Sequence, residues 1–391
     1  MNYTMELVDA AYDYAQETYE ADDYAALLDF LNSSNFRTFG EALESIIRKK
    51  MPADCALSPK EFLQNRCKET GITVASASTL RNWFSGSPRP KKDDKSREDM
   101  FCLAFTLGLT IDETKKLFHD VYLDRAYNKR NYRELIYYHC LKNGHSYAHA
   151  QKLISMVSFS DDVQDSTVYT AVLSAQADSI IEDAQLIAYI NAHPHNFQLN
   201  NISAISEYKK QWEKARRTVS LEKGFISKEE YAKKQHFEPR LRGNWDSKRL
   251  ADIAEKDINS DAFDFEVITG QSITGKAGTK PLSFKNAELP KEIKTNFPTA
   301  PHLDKNPSNE QLRKMIILLF SYGFWYEVQQ QQTEDYFDYY LDQLDDLLNR
   351  IGYSPMYYGN PYDWLFLTCS NTPCPLDAFR DILDEVLHTA E

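Results

Sequence analysis

Between residues 39 and 120 the chain carries helix start and stop signals spaced so closely that only short helices fit. Phe39, Leu43, Ile46 and Ile47 recur at helical spacing and predict a helix over 39–50. Ser58-Pro59-x-Glu61 is a helix start, with a hydroxyl cap, proline at the first helical position and an acid in the first turn. That helix turns Phe62, Leu63 and Cys67 inward and stops at Gly71, where a left-handed backbone costs little. Residues 72–77 form a turn, and Ser76 or Ser78 can cap a third helix whose core side holds Leu80, Trp83 and Phe84. A fourth helix is predicted over 97–107, with Met100, Leu103, Ala104 and Leu107 inward. Thr110-x-x-Glu113 is a capping box that opens a fifth, running to residue 119.

Two stretches in this region resemble a known family. Ser78-Thr79-Leu80-Arg81-Asn82-Trp83-Phe84-Ser85-Gly86-Ser87-Pro88-Arg89-Pro90 is similar to the recognition helix and following turn of Cro/repressor-type (XRE-family) helix-turn-helix proteins. There Ser-Thr-apolar-x-x-Trp-x-x-Gly-x-x-x-Pro is common. Leu107-Gly108-Leu109-Thr110-Ile111-Asp112-Glu113 resembles the turn that follows the family's fourth helix. The resemblance covers about residues 39–120 and implies a five-helix domain whose third helix enters a major groove. On that basis Ser78, Thr79, Arg81, Asn82 and Ser85 approach bases, where Arg and Asn can pair with guanine or adenine edges. Arg89, Lys91 and Lys92, with Lys60, are then expected on phosphates. Dimerisation is expected too, because one short helix reads few base pairs. The chain departs from the family in its longer 51–57 and 87–96 connections, and in Ala77, where the family often has a base-reading Gln or Arg.

The net charge of −13 argues against a nucleic-acid partner, but its distribution does not. Residues 48–97 hold 12 Lys/Arg against 5 Asp/Glu, a local +7 that takes in Lys95 and Arg97 just beyond the third helix. Residues 1–47 carry 1 Arg against 10 acids, and residues 331–391 carry 2 Arg against 12 acids. The candidate DNA-reading unit is thus a basic island between acidic ends. The 42% apolar and 26% charged content is that of a globular protein. The apolar run over 315–326 is too short to span a bilayer, and residues 1–6 lack the basic and apolar regions of a secretory signal. Six scattered cysteines without a framework point to reduced thiols, and together these features predict a cytoplasmic protein.

The predicted architecture is mainly α. An acidic helical extension (1–38) precedes the helix-turn-helix domain with added helices (39–160). A long helical pair (161–223), an irregular linker or small subdomain (224–306) and an acidic helical domain (307–391) follow. The pair is read as helices over 166–192 and 205–223. The second contains a basic run around Trp212, read as an amphipathic helix with a core Trp or, alternatively, as a nucleic-acid contact. Residues 263–269 alternate enough to suggest a short strand. No fixed-period repeat is present.

Other constellations are weaker. Gly270-Gln271-Ser272-Ile273-Thr274-Gly275-Lys276-Ala277 matches a phosphate-cradling loop through Gly-x4-Gly-Lys. Ala277 replaces the magnesium-binding hydroxyl and Pro281 interrupts the helix such a loop requires, so a glycine-rich turn is the better reading. His145-x3-His149 has the spacing of two ligands on one helical face, yet Ser146 is placed to cap a helix between them, and no metal site is expected. The acidic run Glu334, Asp335, Asp338, Asp342, Asp345 and Asp346 reads as a solvated face or as an electrostatic mate for the basic island, in preference to a divalent-cation site. No nucleophile lies in an activating context, and neither enzyme activity nor a cofactor is expected.

The function expected is sequence-specific or semi-specific binding of double-stranded DNA by a bacterial transcriptional regulator or a DNA-associated protein of a mobile element. The helical C-terminal region would then serve self-association or a protein partner, with no membrane involved. The alternative is a protein–protein interaction or regulatory scaffold whose helix-turn-helix does not contact DNA.

Overall fold

The computed structural model describes residues 24–32, 36–86, 89–159, 170–198, 202–233, 260–271, 289–298, 307–331 and 336–388. They fall into two units. One takes in Arg37–Ala204 and Asp345–Pro355; the other is built from the described parts of Met5–Phe36, Ile205–Leu344 and Met356–Glu391. The fold is mainly helical. No helix among the described residues is long and apolar enough to cross a membrane.

In the first unit, α1 (Phe39–Lys50) opens on a capping box in which the Thr38 hydroxyl and the Glu41 carboxylate satisfy each other's backbone N–H. Helix α2 (Pro59–Thr70) does the same with Ser58 and Glu61, and ends at Gly71 in the left-handed region, φ 68°. After a turn that buries Val74, Ser76 caps α3 (Ala77–Trp83). Helix α4 (Asp94–Leu107) begins one turn earlier than the sequence predicts, because Asp93 supplies the cap by accepting from the Ser96 N–H. The Thr110–Glu113 capping box starts α5 (Ile111–Lys116), which runs on into a π-turn over Leu117–Tyr122. The wider turn brings Leu117, Phe118, Val121 and Tyr122 all into the core, and Leu123 at φ 57° ends it.

Next come α6 (Tyr132–Lys142), α7 (Tyr147–Ser155), α8 (Thr170–Ser179) and α9 (Asp183–Ala192). The single helix expected over 166–192 is broken between α8 and α9. Carbonyls that would continue it are engaged elsewhere: Lys142 Nζ takes the Asp178 carbonyl at 2.7 Å, and Asn143 Nδ2 takes that of Ile181 at 3.4 Å. The core joins Leu43 and Ile47 of α1, Leu63 of α2, Met100, Phe101 and Leu103 of α4, and Leu135, Ile136 and Tyr137 of α6. Each fully buried side chain of this size contributes about 1.5–3 kcal/mol.

In the second unit the helix Asn309–Gln331 is buried on most of its circumference. Trp325 lies 5.7 Å from the Phe366 ring and donates its Nε1–H to Ser370 Oγ at 2.9 Å. Arg313 makes a two-pronged pair with the buried Asp363, at 2.6 and 2.7 Å. Phe30, from helix Tyr24–Asn32, stacks on Trp364 with centroids 5.0 Å apart; the rest of the expected acidic extension, 1–23 and 33–35, lies outside the described residues. Asp338 and Asp342 are exposed on the part of helix Phe337–Arg350 that belongs to this unit, as a solvated acidic face would be; Asp345, half-buried, and Asp346, exposed, belong to the first unit, and Glu334 and Asp335 fall outside the described residues.

The strand expected over 263–269 is a helix, Asp261–Thr269, and no strand occurs among the described residues. Ser260 caps it by accepting from Phe263 N–H. The alternation misleads because Asp264 is buried as well as Phe265, Val267 and Ile268, its carboxylate meeting Arg216 Nε at 3.0 Å. Gly270 is therefore a helix C-cap and does not follow a strand, as a phosphate loop requires; residues 272–277 lie outside the described residues. The basic run around Trp212 is largely committed inside the unit. Lys214 pairs with Glu327 at 3.2 Å, Arg216 with Asp261 and Asp264, and Arg217 sits over the Tyr231 ring. Trp212 itself is half-buried, stacked on Tyr208, and is not a core residue.

Candidate nucleic-acid interface

Helix α3 has a clean division of faces. Leu80 and Trp83 are 7% and 3% exposed, whereas Ser78, Arg81, Asn82 and Ser85 face solvent. Ser78, Arg81 and Asn82 follow i, i+3 and i+4, one stripe of α3, and Ser85 lies in the turn just past its end. The buried side is fixed from α1. Phe39 meets the Trp83 ring edge-on, with centroids 5.3 Å apart. Gly40 lets the two helices approach so closely that a Cβ there would lie 2.4 Å from the Trp83 carbonyl oxygen. The sequence signal of this close approach is the isolated glycine inside α1.

The start of α3 is a knot of hydroxyls. Ser76 Oγ accepts from the Thr79 N–H at 3.1 Å, and lies 2.9 Å from Ser78 Oγ and 2.8 Å from Thr79 Oγ1. Ser78 and Thr79 are therefore orientated by the cap, and Thr79 is only half-exposed. At the other end Ser85 Oγ donates to the Asn82 carbonyl at 3.2 Å. Arg81 and Asn82 are left as the two long polar side chains in the middle of the exposed stripe.

The cations after α3 separate into two groups. Arg89 turns inward, its guanidinium donating to the carbonyls of Val121 and Arg37, the latter at 2.6 Å. It ties the loop to the π-turn, a role that sequence spacing does not reveal. Tyr122 adds a second tie by donating to the Lys91 carbonyl at 2.6 Å. Arg97 is 2% exposed and is no surface cation at all. Its Nε and Nη2 meet the two Glu134 oxygens at 2.7 Å each, and its Nη1 meets Asp124 at 2.5 Å. Burial works against its charge, but Glu134 and Asp124 outweigh that and hold the guanidinium protonated. Lys91 and Lys95 remain exposed and Lys92 is half-exposed. Ser87 and Pro88 lie outside the described residues.

On α2, Lys60 is half-exposed and Arg66 pairs with Glu69 at 2.7 Å. On α1, Lys50 reaches Glu113 at 2.7 Å, closing the basic end of α1 onto the capping box of α5. The surface around α3 thus presents Arg81, Asn82, Lys91, Lys92 and Lys95 on a loop and helix that the core holds in place. Compared with protein-family models, with curated proteins and with solved structures, the chain matches none.

Proposed function

We propose that the first unit binds double-stranded DNA by placing α3 in a major groove, and that the chain acts as a transcriptional regulator or as a DNA-associated protein of a mobile element. The observation that carries this reading is the exposure of Arg81 and Asn82 on a helix whose opposite side, Leu80 and Trp83, is locked into the core. Arg81 offers a forked donor set and Asn82 a donor–acceptor pair, the two arrangements that suit purine edges in the major groove. Lys91, Lys92 and Lys95 supply positive charge beside the helix for phosphate oxygens. The likeness of 39–120 to XRE-family proteins supports the same use of α3.

The test is titration of the full chain with a pool of random-sequence duplex DNA at several salt concentrations, followed by selection of preferred sequences from that pool. Affinity should fall steeply as salt rises. Arg81→Ala should cost about 1–3 kcal/mol on a preferred site, roughly 5- to 150-fold, and relax the choice of one base pair. Lys91→Ala/Lys92→Ala should weaken all sequences alike. Binding that ignores both variants would remove α3 from the interface. A second reading, a protein-interaction scaffold that does not touch DNA, draws on the inward turn of Arg89 and Arg97 and on Ala77 at the head of α3. Absence of any salt-dependent DNA binding would favour it.

A further inference from the structure

Three histidines converge on one carboxylate in the first unit, well away from α3 in sequence. His139 comes from the last turn of α6, His145 from the link between α6 and α7, His149 from the first turn of α7, and Asp183 is the first residue of α9. His139 Nε2 lies 2.9 Å and His145 Nε2 3.8 Å from Asp183 Oδ1, while His149 Nε2 lies 2.7 Å from Oδ2. A donor atom from each of His139, His145 and Asp183 lies within 4.8 Å of the other two. All three rings therefore turn the same nitrogen, Nε2, toward the same group.

Hydrogen bonding alone accounts for only two of the three. A carboxylate held by His139 and His149 would be satisfied, yet His145 also points its Nε2 inward, at a distance too long for a hydrogen bond. Its ring is held there by the His149 ring, with centroids 4.4 Å apart. The backbone fixes the positions independently of the rings: Ser146 Oγ caps α7 by accepting from His149 N–H at 3.2 Å, and His145 N–H bonds to the Cys140 carbonyl at 2.8 Å. Asn143 is the remaining polar side chain at the cluster, its Nδ2 3.1 Å from His139 Nε2.

We propose that this cluster binds one divalent first-row transition-metal ion through His139 Nε2, His145 Nε2 and Asp183 Oδ1, with His149 holding the other Asp183 oxygen. Two imidazoles and a carboxylate suit zinc and its neighbours and discriminate against magnesium and calcium, which take oxygen donors. Tetrahedral donors about 2.0–2.1 Å from zinc stand roughly 3.3 Å apart. The 2.9 and 3.8 Å separations to Asp183 Oδ1 bracket that value, and the donor atoms of the two imidazoles lie within 4.8 Å of each other, so side-chain rotations that draw the rings together admit the ion. The carboxylate bridging metal and His149 is the arrangement by which outer groups orientate a ligand. The buried His139 anchors the site, while His145, His149 and Asp183 are about a third exposed and leave a path for the ion. His145 also lines a cavity of about 500 Å³ together with Thr70, Gly71 and Ile72, the end of α2 and the turn before α3. The sequence pair His145-x3-His149 pointed here but omitted two of the three ligands, which lie on other elements.

The test uses the full metal-free chain titrated with cobalt(II), then with zinc(II) in competition with a chromophoric chelator. The expected result is one equivalent bound, with visible bands of nitrogen–oxygen ligation and no thiolate-to-metal charge transfer. Magnesium and calcium should not compete. His145→Ala, at a partly exposed position, should fold like the parent and weaken binding by more than about 100-fold, and His149→Ala by about 10- to 100-fold. His195→Ala, an exposed histidine outside the cluster, should change nothing. Failure to bind, a thiolate spectrum, or equal binding by the His145→Ala chain would each overturn the proposal.

Discussion

Replacing Arg97 with methionine should destabilise the first unit by about 3–5 kcal/mol, the cost of breaking a buried ion pair from one side. The magnitude follows from what the substitution leaves behind. Arg97 donates to both oxygens of Glu134, to Asp124 and to the carbonyls of Arg125 and Ala126, and its guanidinium sits 5.0 Å from the Phe118 ring. The Asp124 and Glu134 side chains are 4% and 6% exposed, so water cannot take over. Asp124 keeps the Arg125 N–H at 2.8 Å and Glu134 the Asn128 N–H at 2.6 Å, which holds the loss within this range. At about 2–4 °C per kcal/mol for a unit of this size, the midpoint of thermal unfolding should fall by roughly 6–20 °C. Methionine retains the stem's volume, so the loss reports charge and hydrogen bonding, not a cavity. Lysine at the same position keeps the charge but cannot bridge Glu134 with a fork, and should recover only part of the loss. Denaturant and thermal unfolding of the three chains would decide. A methionine chain within 1 kcal/mol of the parent would refute the reasoning, as would one that folds normally but loses DNA affinity.

Three further outcomes follow from single contacts. Gly40→Ala places a methyl against the Trp83 carbonyl and should cost about 1–3 kcal/mol while shifting α3, so a thermal melt and DNA affinity should fall together. Burial pushes the Asp99 carboxyl up to about 6, against the pull of Lys95 and with help from Asp93 and Glu98. The folded chain therefore binds this proton more tightly than the unfolded one, and stability falls as pH rises from about 4 to 6. Asp99→Asn should be more stable than the parent at pH 7, by about 1 kcal/mol after allowance for its partial exposure, with the difference closing below pH 4 in pH-dependent unfolding. Ser76→Ala removes the cap of α3 and should cost about 1 kcal/mol in denaturant unfolding, with Ser78 and Thr79 losing their shared partner.

The helices of the first unit were legible because their ends are written in side chains. Thr110 and Glu113, Ser58 and Glu61, and Gly71 are local signals that tertiary structure does not override. Asp93 does not stand out as a cap, because charge in 91–97 reads first as a basic loop. The 166–192 break was not legible at all, since carbonyls made available to Lys142 and Asn143 depend on where α6 ends in space. The supposed strand over 263–269 failed for a related reason. Two-residue alternation assumes the polar positions are solvated, and Asp264 is instead buried on Arg216. Of the candidate interface, the exposed stripe of α3 could be read from period alone, but the directions of Arg89 and Arg97 could not. A basic residue near a recognition helix is equally suited to a phosphate, a carbonyl or a buried carboxylate, and only the fold decides.

That division of cations sets how DNA binding should respond to salt. Counted from the sequence, residues 48–97 offer 12 Lys/Arg, which would suggest a slope of about −11 in log affinity against log salt if all met phosphates. The structure turns Arg89 onto backbone carbonyls, buries Arg97, and pairs Arg48 with Glu44, Lys50 with Glu113 and Arg66 with Glu69. Lys49, Lys60 and Lys68 lie on α1 and α2, while α3 and the segment after it present Arg81, Lys91, Lys92 and Lys95. With Arg81 on a base and the lysines on phosphates, each protomer should release about three counterions, a slope near −3, doubled in a dimer. Lys91→Ala/Lys92→Ala should remove roughly two units per protomer, while Arg97→Lys should leave the slope as it is. A slope that tracks the sequence count would place the phosphate path over α1 and α2 instead, and a slope of zero would leave the acidic chain with no duplex to meet.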